Sequence, residues 1–108
     1  MTRVVYEPEL PAIEFDGHAG AGLRGRDPVC AALSMLMMTL ERRMEDRAEE
    51  ALPVISRGPG RFEIRCDPED GAEALCRESF DTVAAGLALL AENRPEFVSF
   101  RLTEEEEP

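Results

Sequence analysis

The chain contains no lysine and no tryptophan, and it has a single histidine and a single tyrosine. Without lysine it cannot form the glycine-rich phosphate loop that ends in a lysine before a helix. Long apolar runs are also missing. The longest apolar-rich stretch, residues 29–40, is too short to cross a bilayer and is interrupted by Ser34 and Thr39. The first ten residues lack the apolar core of a secretory signal, so we expect a soluble protein with no membrane association.

Disulfide and metal patterns are absent as well. The three cysteines, Cys30, Cys66 and Cys76, are an odd number with no closely spaced pair. Such usage is typical of a reducing compartment, so we predict a cytoplasmic location. A zinc site that combines these thiols with His18 is conceivable, but the paired C-x-x-C spacing of such sites is missing. Cys66 and Cys76 follow apolar patterns and are predicted core residues, and we expect neither a metal nor a cofactor.

Acidic residues are in large excess. The 108 residues include 23 acidic and 12 basic side chains, which gives a formal net charge of −11. A surface of that charge repels nucleic-acid backbones, so direct nucleic-acid binding is not expected. Basic proteins or basic peptide segments are better partners, because the field of the protein attracts them.

The length predicts one domain over residues 1–103 and a charged tail at residues 104–108. Alternating apolar residues predict two strand hairpins and a final strand. The element order strand-strand-helix-strand-strand-helix-strand favours an α/β or α+β fold, with a mixed sheet covered by two helices.

Both helices are predicted from their spacing and their first residues. The first is expected from residue 28 to about residue 51, with Asp27 as N-cap. The second is expected to open at Pro68, with Asp67 as its cap. Four methionines of the first helix are expected to fill the core or a dimer seam: Met35, Met37, Met38 and Met44.

The single histidine and one cysteine lie on either side of a glycine-rich loop, in the stretch DGHAGAGLRGRDPVC. With Asp27 as N-cap, Cys30 is the third residue of the helix, at the positive end of the helix dipole. This position favours the thiolate, which is the nucleophilic form of cysteine. The helix terminus also offers N–H groups to a developing oxyanion. A thiolate, a base such as His18 and oxyanion donors are the parts that a cysteine acyl-transfer enzyme needs.

The loop can bring the two residues together, because Gly20, Gly22 and Gly25 accept positive φ angles. The residues alone leave another interpretation open. Cys30 can be a small buried apolar residue, and His18 can be an ordinary loop residue.

The elements GHAG and DPVCAALSML, separated by a short loop with glycines, resemble the ribosomal-processing cysteine protease family, Prp. The predicted order of strands and helices also agrees with that of the family. The resemblance implies that Cys30 is the nucleophile and His18 its partner base. It implies an acidic residue beside the active site at Asp27 and a serine one turn beyond the cysteine at Ser34. It also implies that residues 19–26 close over the substrate.

The same resemblance implies a substrate and an assembly. The expected substrate is the precursor of a large-subunit ribosomal protein, the twenty-seventh of the L series, from which an N-terminal extension is removed. The expected assembly is a homodimer. Two alternatives are a non-catalytic module of the same fold that binds a ribosomal or other basic protein, and a redox-sensing thiol protein.

The roles of four residues stay open in the sequence. Asp27 can orient His18 or only cap the helix. Ser34 can line the site or hydrogen-bond to the carbonyl one turn earlier. Arg24 and Arg26 can contact the substrate backbone or be solvated.

Overall fold

The computed structural model describes residues 1–23 and 25–103. The predictions for Arg24 and for the charged tail at residues 104–108 lie outside the described residues. In this part of the chain five strands form one sheet; they are β1 (Thr2–Glu7), β2 (Ala12–Asp16), β3 (Pro53–Gly58), β4 (Arg61–Cys66) and β5 (Val98–Leu102).

The sheet is mixed, as the sequence predicted. Its strand order is β3-β4-β2-β1-β5. The β1–β5 pair is parallel, and the β1–β2, β2–β4 and β3–β4 pairs are antiparallel. Both predicted hairpins are therefore present, and they are joined through β2 and β4.

Within the described residues two long helices pack on the sheet, as predicted, and a short third helix connects the first of them to β3. They are α1 (Pro28–Asp46), α2 (Ala48–Ala51) and α3 (Glu73–Asn93). The single helix predicted to run to about residue 51 is wrong in its last part, because Arg47 leaves the helical region with φ −122° and ψ 32°. The break redirects the chain so that Ala51 is fully buried just before β3 begins.

The predicted start of the second long helix is also wrong. Asp67 and Pro68 precede a turn, and α3 begins only at Glu73. Gly71 has φ +92°, which is incompatible with a helix starting upstream of it. The backbone N–H of Gly71 donates to the Glu73 carboxylate at 2.9 Å, so the helix start is fixed by a residue inside the first turn.

The core lies between the sheet and the two long helices. The buried residues of α1 follow helical spacing: Val29, Leu33, Met37, Leu40 and Met44. Cys66 and Cys76 are buried, as predicted. Met37 and Met44 are fully buried in the core, which is one of the two environments predicted for the methionines, whereas Met35 and Met38 are exposed.

The helices α1 and α3 pack closely. A Cβ atom at Gly86 of α3 would lie 2.9 Å from Cδ2 of Leu36 of α1, so the absence of a side chain at Gly86 allows this approach. Within residues 1–23 and 25–103, no helix is long and apolar enough to cross a membrane.

Candidate active site

Asp27 fixes the start of α1, as the sequence predicted for an N-cap. Its Oδ1 atom accepts hydrogen bonds from the backbone N–H groups of Val29 and Cys30, both at 3.0 Å. Its Oδ2 atom accepts a third from the N–H of Ala21, also at 3.0 Å. The pKa of the Asp27 carboxyl is held below its usual value by these donors, and the N–H of Cys30 has the largest effect. One carboxylate thus joins the helix start to the glycine-rich loop.

The Asp27 carboxylate makes no hydrogen bond to His18 among the described residues. The sequence left open whether Asp27 orients His18 or caps the helix. The observed hydrogen bonds to Val29 and Cys30 are those of a helix cap.

Cys30 is half-buried at the first turn of α1. The backbone N–H of Ala19 points at its Sγ atom, with a nitrogen–sulfur distance of 3.4 Å. Because Ala19 directly follows His18, this contact keeps the backbone next to His18 close to the sulfur of Cys30.

The expected oxyanion donors at the helix terminus are already used. The N–H groups of Val29 and Cys30 donate to the Asp27 side chain, and that of Ala31 donates to the Asp27 carbonyl at 3.0 Å. Pro28 has no N–H. The prediction that these groups face a developing oxyanion is therefore wrong for the first helical turn, and Ala19 supplies the one N–H directed at Sγ in the described part of the chain.

His18 follows β2 and lies against the β3–β4 turn. Its neighbour Gly17 has φ +95°, and the Gly17 N–H donates to the Gly60 carbonyl at 2.7 Å. A Cβ atom at Gly60 would lie only 2.9 Å from Nε2 of His18. The imidazole is exposed on its other side. Its position is thus set by a turn far away in the sequence.

Cys30 and His18 line the same two cavities. The first cavity has a volume of about 290 Å³ and lies between α1 and the β3–β4 hairpin. The second has a volume of about 430 Å³ and lies under the glycine-rich loop. Both are also lined by Gly60. No hydrogen bond joins the imidazole to Sγ within the described residues.

Of the three loop glycines expected to accept positive φ angles, Gly20 and Gly25 have φ +75° and +83°, whereas Gly22 does not have a positive φ. Gly20, Gly22 and Gly25 all line the second cavity. Gly22 allows a close approach of the chain to itself, since a Cβ atom there would lie 2.6 Å from the carbonyl oxygen of Arg26. Arg26 itself is exposed.

Ser34 lies one helical turn after Cys30 and lines the first cavity with it. Its hydroxyl makes no hydrogen bond to a backbone carbonyl among the described residues, whereas Thr39, Ser79 and Thr82 each bond to the carbonyl four residues earlier. Of its two open roles, lining the site is the one that the contacts support.

Several residues of this site gave no signal in the sequence. Arg57 and Arg61 bring positive charge to the first cavity of a strongly acidic protein. The Arg57 guanidinium lies 4.6 Å from the centre of the Phe62 ring and forms an ion pair with Glu41. Thr2 is fully buried beneath the site. These side chains meet through the tertiary fold, so their places in the sequence do not reveal that they share a site.

Metal-binding side chains do not cluster in the part of the chain that the structure describes. No group of three or more histidine, cysteine, aspartate or glutamate side chains is placed to hold an ion there. The conceivable zinc site is therefore not assembled, since Cys66 and Cys76 lie in the core and line neither of the two cavities that Cys30 and His18 share.

Comparisons with known proteins give a family and a fold. The model of the family described as cysteine protease Prp matches residues 1–99. A crystal structure of an essential ribosomal processing protease Prp from S. aureus, with a covalently linked product peptide, is 23% identical with a TM-score of 0.82 and covers 95% of this chain and 100% of its own. Another S. aureus Prp structure, with a substrate peptide, is 22% identical with a TM-score of 0.75 and the same coverage.

A Streptococcus mutans protein is 27% identical with a TM-score of 0.70 and covers 96% of this chain and 93% of its own. No curated protein sequence matches the chain. The structural matches agree with the observed sheet and helix order, and the family match spans both the GHAG and the DPVC elements.

Proposed function

Since the chain belongs to the cysteine protease Prp family, whose model matches residues 1–99, we propose that it is an endopeptidase with Cys30 as nucleophile and His18 as base. Its proposed substrate is the precursor of a large-subunit ribosomal protein, the twenty-seventh of the L series, from which it removes the N-terminal extension. The observation that carries this proposal is that Cys30 and His18 line the same two cavities. A peptide can occupy one cavity on each side of its scissile bond.

The first step is attack of the Cys30 thiolate on the scissile carbonyl carbon. A carbon–sulfur bond forms, and the carbonyl electron pair moves to the oxygen. The half-buried sulfur is reachable from both cavities, whereas the other two cysteines are buried. Cys30 is therefore the thiol that a peptide can meet.

The oxyanion needs a donor beside the sulfur. The Ala19 N–H, 3.4 Å from Sγ, is the group that supports this role, because the first-turn N–H groups of α1 are used by Asp27. A carbonyl oxygen bound next to Sγ would accept this hydrogen bond as its charge develops. Ala19 acts through its backbone, so the identity of its side chain matters little for this step.

His18 completes the reaction. Its imidazolium donates a proton to the leaving amine as the peptide carbon–nitrogen bond breaks, which leaves an acyl enzyme on Cys30. The neutral imidazole then takes a proton from water, whose oxygen attacks the acyl carbon and releases the thiolate. The exposed imidazole, supported on one face by Gly60, is reachable by both the amine and the water.

Asp27 and Ser34 have supporting roles in the proposal. Asp27 holds Cys30 and Ala21 through its two oxygens and so positions the loop over the nucleophile. Ser34 lines the cavity that holds one side of the peptide. The glycines Gly20, Gly22 and Gly25 line the other cavity and let the loop adjust to the substrate.

Charge supports a basic substrate. With a net charge of −11, the protein attracts positively charged chains and repels nucleic acid, so a basic ribosomal protein precursor is a suitable partner before it binds RNA. We place the reaction in the cytoplasm, where free thiols persist.

We also propose that the protein is a homodimer. Met35 and Met38 on α1 are 63% and 47% exposed, which supports an apolar surface available for a second copy. Light scattering after size-exclusion chromatography is the direct measurement, and Met35→Glu should shift a dimer to a monomer. A monomeric wild-type protein contradicts this part of the proposal.

The decisive experiment is incubation with the full-length ribosomal protein precursor from the same genome, followed by intact-mass analysis. We expect loss of the N-terminal extension with the wild type and no cleavage with Cys30→Ala. His18→Ala should slow cleavage by about 100-fold or more, since general acid–base catalysis contributes that much. Binding of the precursor without cleavage would favour the partner-binding module, and a stable sulfenate at Cys30 without cleavage would favour the redox sensor.

A further inference from the structure

Strand β3 is a free edge of the sheet. It pairs with β4 on one side, and within residues 1–23 and 25–103 no strand pairs with its other side. The turn between them has two residues, Pro59 and Gly60, so Gly58 and Arg61 form the pair that closes the hairpin. In such a hairpin the closing pair exchanges hydrogen bonds, and the pattern alternates along the ladder.

This alternation decides which backbone groups of β3 are available. Ser56 and Gly58 bond to β4, whereas the N–H and C=O groups of Ile55 and Arg57 point away from it. Arg57 is exposed and Ile55 is half-buried. Two residues of β3 therefore offer two donors and two acceptors to an added strand.

The free edge leads directly into the candidate active site. Arg57 and Gly58, at the end of β3, line the first cavity together with Cys30. The other edge of the sheet is β5, none of whose residues lines either cavity that contains Cys30. Only one of the two edges is therefore continuous with the nucleophile.

The Arg57 side chain leaves this edge uncovered. Its guanidinium lies over the ring of Phe62, its partner on β4, and pairs with Glu41 of α1. Both contacts draw the side chain towards α1 and away from the outer side of the strand. Charged side chains often protect a free edge from pairing, but this one is directed elsewhere.

We propose that the peptide substrate binds in extended form as an added strand along the free edge of β3, paired with the backbone of Ile55 and Arg57. This inference rests on the proposed protease function and adds to it the way in which the substrate is held. Main-chain pairing of this kind provides affinity for an extended peptide whatever its sequence.

The added strand also predicts how specificity is divided. Side chains of a strand alternate between the two faces of the sheet. Every second side chain of the bound peptide would face α1, where Leu33, Met38 and Phe62 contribute apolar side chains to the first cavity. The intervening side chains would face the open side of the sheet. Substrate selection would then fall on alternate residues.

The test is an N-methyl scan of a synthetic peptide that spans the extension junction of the ribosomal protein precursor. Each backbone amide outside the scissile bond is methylated in turn, and KM and kcat are measured with the wild-type protein. N-methylation removes a donor and blocks the approach of a neighbouring strand. We expect KM to rise about 3- to 10-fold at the alternate positions that lie opposite Ile55 and Arg57, as for loss of one net hydrogen bond, and to change little at the position between them.

A pair of protein variants tests the same contact from the other side. Arg57→Ala removes the side chain but keeps the outward N–H, whereas Arg57→Pro removes both. The increase in KM from Arg57→Ala to Arg57→Pro, with folding checked by circular dichroism, measures the backbone contribution. We expect a further increase of about threefold or more.

The outcomes separate the two proposals. If the unmodified peptide is not cleaved, the protease function fails, and edge pairing of a substrate fails with it. If the unmodified peptide is cleaved but the scan shows no alternation along the peptide, the protease function stands and pairing with β3 is wrong. The scan keeps this decision available even if Arg57→Pro does not fold.

Discussion

The imidazole of His18 rests on the backbone of Gly60, where a Cβ atom would lie 2.9 Å from Nε2. The carbonyl of the same glycine accepts the Gly17 N–H at 2.7 Å, so the β3–β4 turn holds both the ring and the backbone that carries it. The turn residues are therefore part of the support of the candidate site.

Gly60→Ala should lower the cleavage activity, whereas the control Gly71→Ala should lose a similar unfolding free energy without that loss of activity. The new methyl group must displace the imidazole, and a misplaced catalytic group can lower kcat/KM by about 10- to 100-fold. Gly71→Ala is the matched control, since Gly60 and Gly71 both have positive φ (+65° and +92°) but nothing lies within 4 Å of a Cβ atom at Gly71. Both variants should lose about 1 kcal/mol of unfolding free energy or more from backbone strain. Equal activity of the two variants would contradict the supporting role of Gly60.

Asp27→Asn should separate the helix cap from the loop attachment. An asparagine oxygen can still accept the N–H groups of Val29 and Cys30, because Asn caps helices about as well as Asp. Its amide nitrogen cannot accept the N–H of Ala21, which now bonds to Oδ2 at 3.0 Å. We expect nearly unchanged stability with lower kcat/KM for Asp27→Asn, and an additional loss of about 1 kcal/mol for Asp27→Ala. An Asn variant with full activity would show that the loop attachment is dispensable.

Local patterns were sufficient for much of the fold. Asp27 and Pro28 mark the start of α1 correctly, because cap and first-turn preferences depend on near neighbours in the chain. The same two residue types at Asp67 and Pro68 were misleading. Gly71, with φ +92°, interrupts the chain a few residues later and delays α3 to Glu73. A local signal is thus overridden when a nearby residue adopts a non-helical conformation.

The sequence predicted His18 and Cys30 as the central residues of the site, with Asp27, Ser34 and the three loop glycines around them, and all of these line the two cavities. His18 and Cys30 stand out by residue type and by their place around a glycine-rich loop. The contact of His18 with Gly60, and the place of the fully buried Thr2 beside the first cavity, depend on which strands become neighbours. The sequence analysis also did not predict that the first-turn N–H groups are already hydrogen-bonded. The Asp27 side chain accepts these hydrogen bonds, so the helix terminus no longer offers those donors to a ligand.

The stability contributed by Asp27 should depend on pH. Its pKa is lowered in the folded protein, chiefly by the Cys30 N–H, so the folded state binds fewer protons than the unfolded chain, where an aspartate pKa is about 3.9. The contribution is therefore present above about pH 4 and is lost as the pH falls through the lower folded value. Urea unfolding should show that the difference in unfolding free energy between the wild type and Asp27→Asn is constant near neutral pH. Below about pH 4, the wild type should lose stability relative to Asp27→Asn. A difference that does not change in acid would contradict the assignment.

Alkylation should distinguish Cys30 from the other two cysteines. Cys66 and Cys76 are 5% and 0% exposed, and burial raises the pKa of Cys66 to about 12 and that of Cys76 above its usual value. Iodoacetamide should therefore label the native protein once, at Cys30, and label all three cysteines after unfolding. Peptide mass mapping gives the site, and the labelling rate of His18→Ala gives the effect of the imidazole. A Cys30 that reacts no faster than a free thiol, with no change in His18→Ala, would remove the main support for a nucleophile.

Thr2→Val should weaken both the fold and the site. The buried Thr2 hydroxyl donates to the Gly17 carbonyl at 2.9 Å, directly before His18. Valine keeps the shape but leaves that carbonyl without its donor, at a cost of about 1 kcal/mol or more in unfolding free energy. Thr39→Val is the matched control, because the exposed Thr39 hydroxyl bonds only to the Met35 carbonyl of its own helix, and we expect a change within about 0.5 kcal/mol. Because Gly17 carries His18, Thr2→Val should also lower kcat/KM whereas Thr39→Val should not. Equal stability and activity of the two variants would mean that the Thr2–Gly17 bond positions nothing.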